Sequence, residues 1–276
     1  MGVTTDRLPA STTDGRGRPC DDGILMNKSK VYSSDFYTYN RRVAMASARI
    51  VIPPVAAALG PASVLDVGCG AGAWCRVWKE NGAEVVLGTD GSYVDRAQLL
   101  VDPDSFVAAD LAQPFDLGRR FDLVMSLEVA EHVHEIHADT FVDNLTRHGD
   151  VVLFSAAVPG QGGEFHVNEQ PLEYWRSKFL ARGYQCFDPF RPIFRDNGAV
   201  APWYRFNTLL YVADAAVEGL SPALQASKVP QGEPLGADSP LWWRLRNGTL
   251  GLLPHRVTDA LARARSSWVR MRHARS

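Results

Sequence analysis

A glycine-rich turn directly after an apolar run is the clearest chemical feature of the sequence. VLDV at 64–67 is followed by GCGAG at 68–72. Glycines at such a point let the backbone approach a ligand that side chains would exclude, and the following helix offers free N–H groups. We therefore predict that this turn cradles a nucleoside-bearing ligand. Its spacing also satisfies the G-x-G-x-x-A form of the dinucleotide-binding turn, so the turn alone does not identify the ligand.

Acidic residues accompany the turn and end the next two predicted strands. A carboxylate at Asp66 repels a pyrophosphate and favours a cationic ligand such as S-adenosylmethionine (SAM), which carries an ammonium and a sulfonium. Asp90 can accept both ribose hydroxyls, as it could those of NAD. Asp110 with Leu111 offers an acceptor and an apolar face to an adenine. An Asp after a strand is also a common turn or helix cap, and that alternative stays open for each.

Four segments resemble the successive motifs of class I SAM-dependent methyltransferases. They are VLDVGCGAG (64–72), GTDGS (88–92), AADLAQPF (108–115) and FDLVMSLEVAEHV (121–133). The last is especially similar to the branch that contains the ubiquinone-biosynthesis O-methyltransferases. By this resemblance Ser126 and Leu127 line the sulfonium side, and TRHGD at 146–150 replaces the family's usual Lys-Pro-Gly-Gly turn. The resemblance implies SAM as the cofactor and these cofactor-binding residues: Asp66, Gly68, Gly70, Gly72, Asp90, Gly91, Asp110, Leu111, Leu127 and His132.

A polar loop after the fifth predicted strand, GEFHVNEQ at 163–170, is the predicted acceptor side. Methyl transfer is an in-line displacement at an activated carbon, so a base is needed only if the nucleophile must lose a proton. His166 is the candidate catalytic base, and the alternative is a histidine that only fastens the loop. The candidate acceptor-binding residues are polar side chains of this loop and aromatic residues that could cover the acceptor: Tyr37, Tyr39, Glu164, Asn168, Glu169, Trp203 and Tyr204.

Histidines and acids also crowd residues 131–139. His134 and His137 could share a helical face and bind a metal. The spacing defines no coordination geometry, and His/Glu clusters are common on surfaces. We therefore expect no metal, and expect His132 to contact the cofactor or the acceptor.

Alternating strands and helices must position these residues. Strands are predicted at 63–68, 84–90, 105–110, 121–128, 150–157, 185–190 and 207–213. Helices are predicted at 40–59, bent or broken at Pro53, and at 71–81, 138–147 and 171–182. Alternation that ends in two successive strands predicts an α/β, Rossmann-like fold with a seven-stranded, mainly parallel sheet, one antiparallel strand and helices on both faces. Ligands of such sheets bind at the carboxyl ends of the strands.

The overall composition is that of a globular protein, with 276 residues, 46% of them hydrophobic, and a net charge of −2. We predict a mobile tail at 1–30, the catalytic domain at 31–216, a linker at 217–240 and a basic amphipathic helical extension at 241–276. The extension either packs on the domain or contacts an anionic membrane surface or a polyanionic partner. The cysteine spacing and the absence of an apolar leader predict a cytoplasmic protein without a transmembrane segment.

Together these features predict an enzyme that moves a methyl group from SAM to a small polar metabolite, such as a hydroxyl of a sugar or of a specialised-metabolism intermediate. Short inserts and modest charge favour a small-molecule acceptor and make nucleic acid an unexpected partner. Two alternatives remain open at this point. One is an RNA or protein methyltransferase that uses the basic extension, and the other is a non-catalytic SAM-binding scaffold.

Overall fold

The computed structural model describes residues 34–236 and 239–251, with side chains from residue 41 onward. One sheet contains the strands β1 (Ser63–Val67), β2 (Val85–Asp90), β3 (Phe106–Ala108), β4 (Leu123–Leu127), β5 (Val151–Ser155), β6 (Tyr184–Phe187) and β7 (Leu209–Ala213). Their order is β3-β2-β1-β4-β5-β7-β6. Strand β7 runs antiparallel to β5 and β6, and the other neighbours are parallel. The predicted seven-stranded fold is confirmed.

The described helices are α1 (Ser34–Leu59), α2 (Ala73–Glu80), α3 (Ala138–His148), α4 (Leu172–Leu180), α5 (Arg191–Phe194), α6 (Pro202–Asn207), α7 (Pro222–Ala226) and α8 (Leu241–Gly251). Helices α1, α2, α5 and α6 contribute to the hydrophobic cluster on one face of the sheet. Helices α3 and α4 contribute to the cluster on the other face. The sheet is therefore covered on both faces, as predicted.

The register of the central strands brings their carboxyl ends to a common edge. Leu65 lies beside Leu87 and Val124, and Leu127 lies beside Ser155. All five residues of β4 are buried, which agrees with its apolar sequence and its position in the middle of a parallel sheet. Because the strands are in register, the loops that follow β1, β2, β4 and β5 meet at one edge.

Helix α1 begins earlier than predicted and continues through Pro53 and Pro54. Residues 41–59 are long and apolar enough to cross a membrane by length and composition. In the structure, Val51 and Val55 of this helix are buried in the cluster that also contains residues of α2. Packing of this face against the domain offsets the helix hydrogen bonds that the two prolines cannot donate.

Residues 217–236, within the stretch predicted as a linker at 217–240, pack against the domain, which corrects that prediction. Leu224 and Leu235 are buried, and Lys228 forms a β-bridge with Phe187. The buried guanidinium of Arg191 donates to the carbonyl oxygen of Leu235 at 2.6 Å. The Pro- and Gly-rich composition concealed this packing, because a few apolar residues and one arginine from elsewhere in the chain anchor the segment.

Two further elements differ from the expectations. The stretch between β6 and β7, predicted without a helix, contains α5 and α6, and α6 carries Trp203 and Tyr204. Helix α8 buries Trp243 against Phe206, with ring centroids 5.5 Å apart. The predicted tail at 1–30 and residues 252–276 of the predicted extension lie outside the described residues.

Candidate functional site

The glycine turn connects β1 to α2 at the carboxyl edge of the sheet. Gly68 has a φ of +85°, and its N–H donates to the carbonyl oxygen of Thr89 at 2.7 Å. A Cβ atom at this position would lie 2.4 Å from the side chain of Val129, in the loop after β4. Gly72, with a φ of +80°, precedes the first residue of α2. The turn thus needs glycine for its conformation and for close contact with the neighbouring loop.

Asp66 lies in β1 just before this turn and is 3% exposed. Burial raises the pKa of its carboxyl to about 7, a hydrogen bond from the Cys75 thiol lowers it, and the nearby Asp90 raises it. The Cys75 Sγ lies 3.4 Å from Oδ2. A buried carboxyl of this kind ionises readily only when a positive charge is brought beside it. The site therefore suits a cationic group such as an ammonium.

Asp90 is the last residue of β2, and donors from the glycine turn and from the segment after β2 hold its carboxylate. Its Oδ2 accepts from the Gly70 N–H at 2.8 Å, and its Oδ1 accepts from the Gly91 N–H at 2.7 Å and from the Tyr93 hydroxyl. Carboxylate oxygens have further lone pairs, so ribose hydroxyls can still be accepted. Tyr93 was missed by the sequence reasoning, although its place just after GTDGS marks it as a neighbour of this carboxylate.

The third acid has a more local role in this structure. Asp110 accepts from the Ala112 N–H through Oδ1 at 3.0 Å, which is the turn-capping alternative considered above. Leu111 is half-buried and packs against the second hydrophobic cluster. At the end of β4, Leu127 is buried, and the Ser126 hydroxyl donates to the Val67 carbonyl at 2.8 Å. Ser126 therefore joins β4 to β1 in the core and does not line the sulfonium side.

Glu131, His132, His166 and Glu169 meet beyond the ends of β4 and β5, and we call them the histidine–glutamate cluster. His166 Nδ1 lies 2.7 Å from Glu169 Oε1, and His166 Nε2 lies 3.9 Å from Glu131 Oε1. The rings of His132 and His166 meet edge to face, 4.9 Å apart. His132 Nδ1 lies 3.2 Å from the carbonyl oxygen of Phe165. The loop after β5 thus brings His166 to the segment after β4.

Glu169, predicted to bind the acceptor, organises the loop after β5. Its carboxylate accepts from the N–H groups of Gly160 and Gly162, both at 2.8 Å, besides its bond to His166. Burial opposes ionisation of Glu169, but the hydrogen bond and charge of His166 and the two backbone donors outweigh it and lower the pKa of its carboxyl. These three hydrogen bonds hold the loop together and position His166.

Glu131 is 1% exposed, and its Oε2 has no hydrogen-bond partner among the described residues. Burial raises the pKa of this carboxyl well above its ordinary value, and the nearby Glu128 adds to the effect. Its backbone carbonyl accepts from the N–H groups of Val167 and Asn168, which docks the loop. An unpaired buried carboxyl oxygen is costly unless something outside the protein pairs with it.

Glu128 was not assigned a role from the sequence, yet it lies at the same edge in an unusual conformation. Its φ is +58°, a region that non-glycine residues rarely adopt and that costs about 1–3 kcal/mol. Gln161 donates to its Oε2 at 2.6 Å, and Asn207 donates to its Oε1 at 3.4 Å. Burial raises the pKa of its carboxyl. No spacing rule finds this group, because its partners come from two distant segments.

The remaining predicted acceptor-binding residues are dispersed. Tyr204 is buried in the core with its ring edge to face with Trp74, 5.0 Å away, so it is part of a wall and not a movable lid. Trp203 and Glu164 are half-buried, and Asn168 is buried beside Glu131. Tyr37 and Tyr39 lie on α1 in a part whose side chains are not described.

The chain matches known proteins through the part that forms this site. A family model described as a methyltransferase domain matches residues 37–193, more than half of the chain. A ubiquinone biosynthesis O-methyltransferase of Mesorhizobium japonicum is 39% identical over 88 residues, 29% of this chain and 33% of the relative. A malonyl-[acyl-carrier protein] O-methyltransferase of Pseudescherichia vulneris is 33% identical over 125 residues, 44% and 50% of the two chains. The match thus spans a third to a half of these relatives.

Solved structures of methyltransferases are similar to this chain. An O-methyltransferase family protein from Burkholderia thailandensis superposes with a TM-score of 0.50 at 14% identity, over 64% of this chain and 58% of that chain. A magnesium protoporphyrin IX methyltransferase from Synechocystis with bound S-adenosylhomocysteine (SAH) has a TM-score of 0.47 at 20% identity, over 66% and 89%. This chain therefore belongs to the methyltransferase domain family and has the class I fold of SAM-dependent enzymes, as its motifs implied.

Proposed function

We propose that this protein transfers the methyl group of SAM to a hydroxyl of a small polar metabolite, such as a sugar or a specialised-metabolism intermediate. The observation that carries the proposal is the histidine–glutamate cluster, a set of buried and half-buried proton-binding groups at the sheet edge beside the glycine turn. Val129, whose side chain packs against Gly68, connects the two parts. The curated relatives are named as O-methyltransferases, which supports oxygen as the methylated atom.

We assign the cofactor to the residues around the glycine turn. The Asp66 carboxyl suits the ammonium of SAM, because its burial makes a cationic partner favourable. Asp90 lies at the end of β2, where its oxygens suit the ribose hydroxyls. Gly68 and Gly70 leave room for the methionine part, and Asp110 with Leu111 stays the proposed adenine contact.

Transfer forms an O–C bond from an oxygen lone pair and breaks the C–S bond, whose electron pair stays on sulfur and yields neutral SAH. The hydroxyl proton must also leave. Because Glu169 holds Nδ1 of His166, the Nε2 lone pair is presented towards the cluster. We propose that His166 serves the removal of this proton, as predicted from the sequence.

The cofactor assignment is tested by calorimetry with SAM, SAH and NAD. We expect SAM and SAH to bind, and NAD to bind at least about 100-fold more weakly, because the buried Asp66 carboxyl favours a cationic group and offers a pyrophosphate no positive partner. Tight NAD binding without SAH binding would overturn the assignment.

The role of His166 is tested by substituting alanine and measuring transfer of labelled methyl groups to a panel of sugars, polyols and phenols. We expect His166→Ala to lower transfer by roughly two powers of ten or more, with SAH affinity nearly unchanged. His134→Ala is the matched control, because His134 is exposed in the same region. Full activity of His166→Ala would remove His166 from the reaction.

The proposal also covers the cellular compartment and an alternative acceptor. The buried free thiols of Cys69, Cys75 and Cys186 support a reducing, cytoplasmic setting. The alternative of an RNA or protein acceptor depends on the basic residues after 251, outside the described part. Binding to a polyanion with a steep salt dependence, lost on truncation after Gly251, would support that alternative.

A further inference from the structure

We propose that Glu131, His132 and His166 bind a divalent transition-metal cation, and that this cation holds the acceptor oxygen during methyl transfer. This inference rests on the proposed function and specifies the acceptor side of the same site. It also replaces the expectation from the sequence that this region binds no metal.

The three side chains converge at metal-binding distances. Each offers one ligand atom, and all of these atoms lie within 4.8 Å of one another. Two ligands at about 2.1 Å in a tetrahedral site lie about 3.4 Å apart, so no pair needs to close by more than about 1.4 Å. His166 Nε2 and Glu131 Oε1, 3.9 Å apart, need to close by only about half an ångström.

The hydrogen bonds around the histidines are those expected of metal ligands. His166 Nδ1 lies 2.7 Å from a Glu169 carboxylate oxygen, and His132 Nδ1 lies 3.2 Å from the Phe165 carbonyl oxygen. A proton on each Nδ1 makes each Nε2 a lone-pair donor, and such outer partners almost always accompany a histidine that binds a metal. Phe165 has a φ of +64°, so the chain tolerates a strained residue where its carbonyl meets His132.

The carboxylate of the set needs a positive partner. Glu131 is almost fully buried, and its Oε2 has no hydrogen-bond partner among the described residues. A second carboxylate, that of Glu169, lies 2.7 Å from Nδ1 of His166. A divalent cation bound by Glu131 and His166 would compensate both acids. Buried charges that are retained in proteins are usually paired or bound to metals.

The structure also explains why spacing along the chain suggested other ligands. His134 is exposed, and His137 lies at the first turn before α3, so neither joins Glu131. The third ligand instead comes from the loop after β5. Two imidazoles and one carboxylate favour Zn²⁺, Co²⁺ or another transition metal over Mg²⁺ or Ca²⁺, which prefer oxygen ligands.

Three protein ligands leave coordination positions open, which defines the acceptor class. An acceptor with two oxygens on neighbouring atoms, such as a vicinal diol, can fill two of them. Binding lowers the pKa of the metal-bound hydroxyl, so that its proton is released to solvent. The oxygen lone pair then takes the methyl group, and the C–S electron pair stays on sulfur. His166 thus promotes the loss of the proton by binding the cation, and does not take up the proton itself.

The test uses the full chain, freed of metal with a chelator. Co²⁺ is titrated and followed by its visible absorption, and Zn²⁺ is counted after dialysis. The variants are Glu131→Gln and His166→Gln, with His134→Ala as the matched control and Glu169→Gln as a probe of the outer hydrogen bond. SAH binding to each metal-free protein is measured by calorimetry, which shows that the cofactor half of the site is folded.

We expect one Co²⁺ or Zn²⁺ per chain in the wild type and in His134→Ala. Glu131→Gln and His166→Gln should bind Co²⁺ at least 100-fold more weakly, and Glu169→Gln about 10-fold more weakly. SAH affinity should stay nearly constant in all. A wild type that binds SAH but no Co²⁺, or ligand variants that bind Co²⁺ as well as the wild type, would overturn the cation site and leave the proposed function intact. Failure to bind SAH would instead overturn the proposed function.

Discussion

Replacing Asp66 by asparagine should stabilise the cofactor-free protein at neutral pH and remove its affinity for SAH. The carboxyl is buried, and burial is the main reason why its pKa is raised to about 7. The hydrogen bond from Cys75 lowers this pKa, and the charge of Asp90 raises it. Asparagine has nearly the same shape but no charge to bury. The substitution should therefore raise the free energy of unfolding and lower the affinity for SAH, a trade-off that is common at functional sites.

The magnitude follows from proton linkage. In the unfolded chain the pKa of this group is close to 3.8, so between pH 3.8 and about 7 the folded state holds a proton that the unfolded state has lost. The contribution of Asp66 is thus fully present below pH 3.8 and is lost as the pH rises through about 7. Three pKa units correspond to about 4 kcal/mol as an upper limit, of which about 2–3 kcal/mol is lost between pH 5 and pH 8.

The assay is urea unfolding of metal-free, cofactor-free protein at several pH values from 5 to 8. We expect the stability of Asp66→Asn relative to the wild type to rise with pH by up to about 2–3 kcal/mol. Asp196→Asn, which changes an exposed carboxylate, is the matched control and should show no such trend. Comparing variants at each pH cancels the titration of the other buried acids.

Cofactor binding supplies the second readout. The wild type should bind SAH up to about tenfold more tightly at pH 8 than at pH 6, because only about a tenth of Asp66 is ionised at pH 6 in the free protein. Asp66→Asn should bind SAH very weakly at every pH. A stability difference that does not change with pH, or an Asp66→Asn protein that binds SAH like the wild type, would refute this account of Asp66.

Two more outcomes follow from packing. Gly68→Ala should lower the free energy of unfolding by about 1–3 kcal/mol and abolish SAH binding. The added Cβ would lie 2.4 Å from the Val129 side chain, at a residue with a φ of +85°. A Gly68→Ala protein that is as stable as the wild type and binds SAH in calorimetry would contradict this. Trp243→Ala should lower the stability by about 3 kcal/mol, because Trp243 is buried against Phe206. Trp242→Ala, at an exposed position, should lower it much less. A Trp243→Ala protein with the urea midpoint of the wild type would show that α8 does not stabilise the domain.

Features encoded by neighbouring residues could be predicted from the sequence. The alternation of apolar runs and helical patterns identifies the strands, and the glycines after β1 identify the turn, because both depend on a few successive residues. Asp66 and Asp90 lie where predicted, at or near the carboxyl ends of β1 and β2. Ends of adjacent parallel strands must share one edge of the sheet, so this half of the site followed from order along the chain.

The proposed acceptor half depends on contacts between loops, which only the tertiary structure decided. Glu131 and His166 come together because β4 and β5 are neighbours in register and the loop after β5 folds back onto the segment after β4. Local spacing pointed instead to His134 and His137. The left-handed conformation of Glu128 likewise depends on partners from distant segments. Sequence patterns report the local backbone, whereas the meeting of loops is set by strand order, register and packing.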